Sequence, residues 1–401
     1  MSAIKKYLDR YAEEEALHIK MSGKSFRNVV VIPACSEAPE FLDSDIEIAD
    51  KTLIIVVANA PHDNVARIDN TAEMLVAIEQ KYPQVLNRFV DAAATLRDID
   101  GKSGLLLVDR CRAGRTIDPK KGVGLARKIG ADIACALIDS GVILSGKIYS
   151  TDADVILPHG YFCCDDLCCA AAVFPFVHNA PADCDAGIRL AGEYYDRSLR
   201  YYVSGLQWAG SPYAFHTIGS CLVVDCLAYA QVRGFPQRAA GEDFYLLNKL
   251  AKVGKVISLD SPFIDIEIRA SERVPFGTGP AVKKIAAFDD IAREYLFYNQ
   301  QIFTLLQMWL ESFELCWQEQ RLQIKAGNSQ IEVVLQEMGA DRAVAAALAG
   351  TKDKARFCYA MNVWFDAFRT LKFIHHMRDR YYPSVPWATA EREAGFVIEG
   401  K

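Results

Sequence analysis

The sequence predicts an α/β protein: a mostly parallel central sheet with helices on both faces, followed by an α-helical C-terminal extension. Three apolar runs, at 28–34, 53–59 and 104–109, predict the strands. Strands buried on both faces of a parallel sheet are nearly continuous in Val, Ile and Leu. A helical stretch at 64–82 separates two of the runs, as in alternating α/β folds. From residue 281 onward apolar residues recur at three- and four-residue steps, which indicates helices.

The composition excludes several classes of protein. The chain has 401 residues, long enough for two or three domains of about 150 residues each. Its net charge of -6 gives no reason to propose a nucleic-acid partner. No apolar run reaches the ~18 residues of a transmembrane helix, and the start of the chain is too charged for a secretory signal. We therefore expect a cytoplasmic protein whose 12 cysteines are reduced.

The predicted organisation has three parts. Residues 1–25 contain a short amphipathic helix, expected over 4–20, that braces the rest. Residues 26–280 form the sheet-containing domain, and residues 281–401 form the helical extension. A homo-oligomer through these C-terminal helices is a further expectation.

Polar turns follow the first two strands of the predicted sheet. The first strand ends at Pro33 and Ala34 and leads into a turn that contains Glu37. The second strand ends at Asn59, before a loop with helix-capping residues. Because ligands of open parallel sheets bind outside the carboxyl ends of the strands, these residues are candidates for ligand contacts.

A basic loop with glycines follows the third strand. It spans 110–127 and includes Arg115, Lys121 and Arg127, with Gly122 and Gly124 at the predicted start of a helix. Glycine lets a backbone approach an anion closely, and a helix N-terminus favours negative charge. The pattern favours phosphate binding, and a solvated basic face is the alternative.

Two carboxylates one residue apart follow the next apolar segment, in Asp152-Ala153-Asp154. Side chains at i and i+2 of a strand point to one face, so both acids could enter one cleft. Carboxylate oxygens are the ligands that Mg²⁺ or Mn²⁺ takes, together with substrate phosphates. A turn with solvated acids is the alternative for this motif.

The segment from about 170 to 216 is rich in tyrosine, which suits contact with a sugar or polyol, although tyrosines are also ordinary core residues. His216 at its end could be a third metal ligand, an acceptor contact or a structural histidine. The cysteines at 163–169 suit core packing better than a metal site, because no second ligand pair is evident.

Four motifs in order resemble family 2 glycosyltransferases with the GT-A fold, over about residues 28–255. They are Pro33-Ala34-x-x-Glu37, Lys121-Gly122-x-Gly124-x-Ala126-Arg127, Asp152-Ala153-Asp154 with Pro158 shortly after, and Gly234-Phe235-Pro236 leading to Gly241-Glu242-Asp243. The chain departs from the family pattern at the end of the second strand. Ala58-Asn59 stands there in place of a pair of acids, one of which contacts the nucleotide base.

The resemblance implies a metal-dependent, inverting transfer of a sugar from a nucleoside-diphosphate sugar to a hydroxyl of a small molecule or glycan. It implies that Asp152 and Asp154 hold Mn²⁺ or Mg²⁺ on the diphosphate. It also makes Asp243 the expected base, with Glu242 as an acceptor or donor contact. The residues expected to contact the nucleotide-sugar are Pro33, Ala34, Glu37, Asn59, Arg115, Lys121, Arg127, Asp152 and Arg273.

Arg273 is included because it lies in a loop rich in glycine and arginine that could fold over a bound diphosphate. A linker to the helical region is the alternative for that loop. Three other functions stay open: a retaining transferase, a sugar-phosphate nucleotidyltransferase, and a catalytically inactive scaffold that has kept the fold.

Overall fold

The computed structural model describes residues 2–43, 51–181, 183–268 and 277–398. The chain forms two compact units. The first comprises Met1–Cys184 and Thr217–Ala281, and the second comprises Asp185–His216 and Val282–Lys401. In the described ranges, no helix combines the length and the apolar character needed to cross a membrane.

The elements are numbered along the chain. The strands are β1 (Asn28–Ala34), β2 (Thr52–Asn59), β3 (Val85–Phe89), β4 (Ala94–Asp98), β5 (Gly104–Arg110), β6 (Lys147–Ser150), β7 (Val155–Ile156), β8 (Ala171–Val173), β9 (Phe176–Asn179), β10 (Leu222–Asp225), β11 (Val256–Ser258), β12 (Ile264–Glu267), β13 (Leu296–Phe297) and β14 (Val385–Pro386). The helices are α1 (Ala3–Tyr11), α2 (Glu14–His18), α3 (Val65–Lys81), α4 (Gly122–Asp139), α5 (Ala186–Trp208), α6 (Cys226–Gln231), α7 (Glu242–Leu250), α8 (Thr278–Ala286), α9 (Ile291–Glu294), α10 (Gln300–Glu319), α11 (Ser329–Glu337), α12 (Ala340–Gly350), α13 (Lys354–Trp364), α14 (Ala367–Arg380) and α15 (Trp387–Glu393).

The core of the first unit is a nine-stranded sheet in the order β11-β8-β10-β6-β1-β2-β5-β4-β3. Its four central strands, β6, β1, β2 and β5, are parallel to one another. Strands β10 and β4 run antiparallel to their neighbours on either side of this parallel core. The predicted α/β class with a large central sheet and C-terminal helices is thus confirmed.

The order of the central strands creates a switch point beside β1. The chain leaves β1 toward β2 on one side and returns through α4 to β6 on the other side. Open α/β sheets bind ligands outside the carboxyl ends of the strands at such a point. The residues that follow β1 and β6 are therefore the first place to look for a site.

Helix α4 lies directly against the parallel core because a glycine permits the approach. A Cβ on Gly130 would lie 2.3 Å from Cγ1 of Val31 on β1, closer than real side chains come. The side chains of β1 and β2 are buried along their whole lengths. This close packing fixes α4, and the side chains at its start, relative to the carboxyl ends of the strands.

The N-terminal segment holds α4 through a buried polar network. Asp132 accepts hydrogen bonds from the hydroxyls of Tyr7 and Tyr229, the latter at 2.7 Å, and from Lys128 Nζ at 2.6 Å. Lys128 also donates to the carbonyl oxygen of Tyr11 at 2.8 Å. The charged pair at the centre is therefore both neutralised and hydrogen-bonded, which a buried carboxylate requires.

A small three-stranded sheet, ordered β7-β12-β9, stands beside the central sheet in the first unit. The segment that joins β6 to β7 carries Asp152 and Asp154 in a turn. The alternation of side chains along a strand therefore does not apply to these two acids. The strand ends at Ser150, and the backbone NH of Glu267 on β12 donates to the carbonyl of Asp154 at 3.3 Å.

The second unit is almost entirely helical. Helix α10 contacts α5, α13 and α14, and the side chain of Trp309 on α10 is fully buried. The close contact of α5 with α10 depends on Gly205, where a Cβ would lie 2.6 Å from the ring of Phe303. Strands β13 and β14 form a short antiparallel pair in this unit.

Several predicted helix bounds need correction. The N-terminal stretch forms two helices, α1 and α2, because the backbone at Ala12 and Glu13 is extended. Residues 354–380 are likewise divided into two helices, α13 and α14, and the Asp366 side chain caps the second helix. The cysteines at 163–169 lie in turns: Cys164 is buried, as core packing predicts, whereas Cys163 and Cys168 are exposed.

Candidate functional site

The carboxyl ends of the four parallel strands meet at one edge of the sheet. They end at Ala34, Asn59, Arg110 and Ser150. The turn after β1 contains Ser36 in the left-handed region, with φ of 54°. A non-glycine residue in this conformation costs free energy and is concentrated at functional sites.

A buried arginine joins the acid after β6 to the acid pair at the start of α7. Arg127 donates from Nη2 to Oδ1 of Asp152 and from Nη1 to Oε1 of Glu242. The side chains of Arg127 and Glu242 are 5% and 3% exposed, whereas that of Asp152 is 32% exposed. The structure therefore brings together three residues that the sequence placed in one site.

The site is assembled from three separate parts of the first unit. Asp152 follows β6, Arg127 lies in the second turn of α4, and Glu242 begins α7 after Gly241, whose φ is 72°. Gly219, just before β10, lies against the guanidinium, since a Cβ there would be 2.5 Å from Cζ of Arg127. This glycine was not predicted. Its only sequence signal is its position shortly before an apolar strand.

Burial and the neighbouring charges shift the pKa values of this cluster. Burial, together with Asp154 and Glu242, raises the pKa of Asp152 to about 6 against the opposing effect of Arg127. Burial and then Glu242 raise the pKa of Asp243 to about 7, again opposed by Arg127. Burial acts to lower the pKa of Arg127, but the surrounding carboxylates outweigh it and hold that pKa above its usual value. A carboxylate with a pKa near neutrality is suited to act as a general base.

Asp243 has an oxygen available for such a role. Its Oδ1 accepts a hydrogen bond from the backbone NH of Phe244 at 2.7 Å, and its side chain is partly exposed. In the described part of the chain, no protein donor contacts its other oxygen. The site thus combines an oriented carboxylate with a free acceptor atom.

The carboxylates also fit a divalent ion. Oδ1 of Asp152 accepts a hydrogen bond from Arg127, which leaves Oδ2 for another partner. Asp154 is close enough to raise the pKa of Asp152. Among the described residues, no three His, Cys, Asp or Glu side chains gather around one point. An ion held here would therefore complete its shell with water and with oxygens of a bound diphosphate, as Mg²⁺ commonly does.

The arginines of the basic loop are already paired. Arg115 lies 3.2 Å from Oδ2 of Asp109, Arg112 lies 3.4 Å from the same oxygen, and Arg110 lies 3.0 Å from Glu15. Burial acts to raise the pKa of Asp109, but hydrogen bonds from the backbone of Arg112 and Cys111 outweigh it and lower that pKa. This part of the loop is therefore a structural network.

Gly122 and Gly124 of the basic loop lie in close packing contacts. The backbone NH of Gly124 donates to the carbonyl oxygen of Arg238 at 3.0 Å, and a Cβ there would lie 2.6 Å from that oxygen. A Cβ on Gly122 would lie 2.8 Å from Cα of Ala239. Lys121, exposed at the start of α4, has no side-chain partner within the described ranges. Lys120, also exposed before α4, likewise has no side-chain partner there, so these two lysines are the cations of the loop that remain open to an anionic ligand.

The remaining predicted contacts fall into three groups. Pro33 and Ala34 are buried in β1, so only their backbone could contact a ligand, while Glu37 is partly exposed in the turn that follows. Asn59 is 8% exposed at the end of β2. His216 belongs to the second unit, and Arg273 lies outside the described residues.

The fold and the site define an α/β protein with a carboxylate cluster organised around an arginine at the sheet's switch point. No protein-family model and no curated protein sequence matches this chain.

Proposed function

We propose that this protein is a glycosyltransferase that moves a sugar from a nucleoside-diphosphate sugar to a hydroxyl acceptor, with inversion at the anomeric carbon. One observation carries the proposal. Arg127 joins Asp152, beside the switch point, to the acid pair of α7, whose second member has a pKa of about 7. One cluster would thus contain both the diphosphate site and a base whose pKa is close to neutral pH.

In this proposal Asp243 accepts the proton of the acceptor hydroxyl. That oxygen attacks the anomeric carbon from the side opposite the leaving group. The bond to the diphosphate breaks, and the diphosphate leaves with the electron pair. A base is useful only when ionised, and a pKa close to the working pH combines ionisation with basicity.

Asp152 and Asp154 would hold a divalent ion such as Mn²⁺ or Mg²⁺, which supplies positive charge to the departing diphosphate. Lys121 would add charge-assisted hydrogen bonds to phosphate oxygens. The remaining expected contacts, Glu37, Asn59 and the backbone of β1, would surround the nucleoside at the end of the sheet.

The proposal is tested by nucleotide binding. We expect one or more nucleoside diphosphates to raise the melting temperature in the presence of Mn²⁺, because a ligand that binds only the native state stabilises it. Asp154→Ala should abolish the Mn²⁺-dependent part of this shift. Asp139→Ala, at the exposed end of α4, is the matched control and should keep it.

Two outcomes would contradict the proposal. One is that no nucleoside diphosphate changes the melting temperature with either metal. The other is that Asp154→Ala keeps the full Mn²⁺-dependent shift, in which case Asp152-Ala153-Asp154 is only a turn.

A further inference from the structure

The surroundings of Arg127 argue against the contact with a diphosphate that the sequence predicted. The motif that contains it suggested a contact with the diphosphate. Both terminal nitrogens are instead taken by carboxylates, one by Asp152 and one by Glu242. The side chain is 5% exposed, and Gly219 lies against the guanidinium. The Nε of Arg127 has no hydrogen-bond partner in the described part of the chain, but it is buried, and the side chain as a whole offers a phosphate almost no exposed surface.

The two carboxylates differ in what else they can contact. Glu242 is 3% exposed and is thus held inside the protein. Asp152 is 32% exposed, its Oδ2 is not used by Arg127, and it interacts electrostatically with Asp154. Arg127 therefore joins the more exposed acid to the more buried one and leaves Oδ2 of Asp152 without a bond to the guanidinium.

Arginine is suited to this task by its shape. Its planar guanidinium presents donors in a fixed fork, whereas lysine offers one mobile ammonium group. A fork engaged at both ends fixes the separation and the orientation of the two carboxyl groups. Residues that hold a metal ligand in this way have measurable effects on metal affinity although they never touch the metal.

We infer that Arg127 is a positioning residue that sets the geometry between Asp152 and the acid pair of α7, and that it does not bind the diphosphate. This inference rests on the proposed function for its effect on donor binding. The bridge itself can be tested without any ligand.

The ligand-free test is a double-mutant cycle measured by urea denaturation. Arg127→Met leaves Glu242 buried without its partner and should lower the unfolding midpoint. Combining it with Glu242→Gln removes the stranded charge, so the double variant should be more stable than the sum of the single changes predicts. Lys121→Met, at an exposed position, is the control and should keep the wild-type midpoint. If the changes in unfolding free energy of the two single variants simply add in the double variant, the inferred link between Arg127 and Glu242 is wrong.

The ligand test compares nucleoside-diphosphate affinity without metal and with Mn²⁺. Lys121→Met should weaken binding in both conditions. Arg127→Lys should keep the metal-free affinity and lose about 10- to 100-fold of the gain produced by Mn²⁺, the usual cost of losing a partner of a metal ligand.

Gly219→Ala provides a second variant that keeps every charge. Its Cβ would displace the guanidinium, so it should show the same selective loss. The inference would be overturned if Arg127→Lys lost as much metal-free affinity as Lys121→Met. Arg127 would then be a residue that binds the diphosphate. If the wild type binds no nucleoside diphosphate, the proposed function fails, while the denaturation cycle still decides whether Arg127 joins the two acids.

Discussion

The side-chain amide of Asn59 donates to the carbonyl oxygen of Ala34 at 3.2 Å and joins the end of β2 to the end of β1. The same nitrogen donates to the carbonyl oxygen of Val57 at 3.1 Å. Two carbonyl acceptors on one side fix the orientation of the amide, because only its nitrogen can donate. A carboxylate at this position would face two oxygens, which gives a physical reason for the departure from the acid pair of the resembling family.

Asn59→Asp tests this arrangement. We expect it to lower the free energy of unfolding by about 1–3 kcal/mol, because a carboxylate replaces the group that donates to two buried carbonyl oxygens. Asn87→Asp is the control, since Asn87 is exposed on β3 and its Oδ1 acts only as an acceptor, from the backbone NH of Arg88. Equal stabilities of the two variants in urea denaturation would show that the amide is not required.

Gly124→Ala tests the packing role of the glycines at the start of α4. A Cβ at this position would overlap carbonyl oxygens of Pro236 and Arg238, both 2.6 Å away. We expect a loss of about 1–3 kcal/mol in the free energy of unfolding without any ligand. Gly350→Ala in α12, with no atom within 4 Å of the new Cβ, should leave stability unchanged or slightly raised. A wild-type unfolding midpoint for Gly124→Ala would remove the packing explanation.

The strands of the parallel core were predictable because burial on both faces leaves an unbroken apolar run. Strands β1, β2 and β5 follow this rule. The hairpin of β3 and β4 was missed. Strand β3 is half-exposed and carries polar residues, so its sequence has no such run. The cause is its place at the edge of the sheet, which sequence pattern alone does not disclose.

The composition of the site was predictable, and its connections were not. From the sequence alone, Asp152, Glu242 and Arg127 were each identified as candidate site residues. Arg127 and Glu242 are separated by 115 positions in the chain, so only the fold shows that they form a pair. The glycines at the start of α4 were interpreted through the freedom of their backbone, and Gly122 does have a positive φ of 40°. The structure adds what the sequence did not show, the close contacts of Gly122 and Gly124 with 236–239.

The pH dependence of turnover follows from the position of Asp243. Its pKa is raised to about 7, first by burial and then by Glu242. The base is protonated and inactive below this pKa, so kcat/KM should fall as the pH drops below about 7. Glu242→Gln removes one cause of the raised Asp243 pKa, so the fall in kcat/KM should occur at lower pH in this variant. The assignment of Asp243 as the base would be contradicted if kcat/KM fell only near the ordinary aspartate pKa of about 3.9. It would also be contradicted if the pH of this fall were the same in Glu242→Gln.

The most direct test of the proposed function is the turnover of Asp243→Asn with a nucleoside-diphosphate sugar that the wild type uses. The amide keeps the shape of the side chain and cannot take a proton. We predict that turnover falls about 10²- to 10⁴-fold while nucleotide affinity is unchanged, and that the wild-type product has the anomeric configuration opposite to that of the donor. Full activity in Asp243→Asn, or a product that retains the donor configuration, would contradict an inverting transfer with Asp243 as its base.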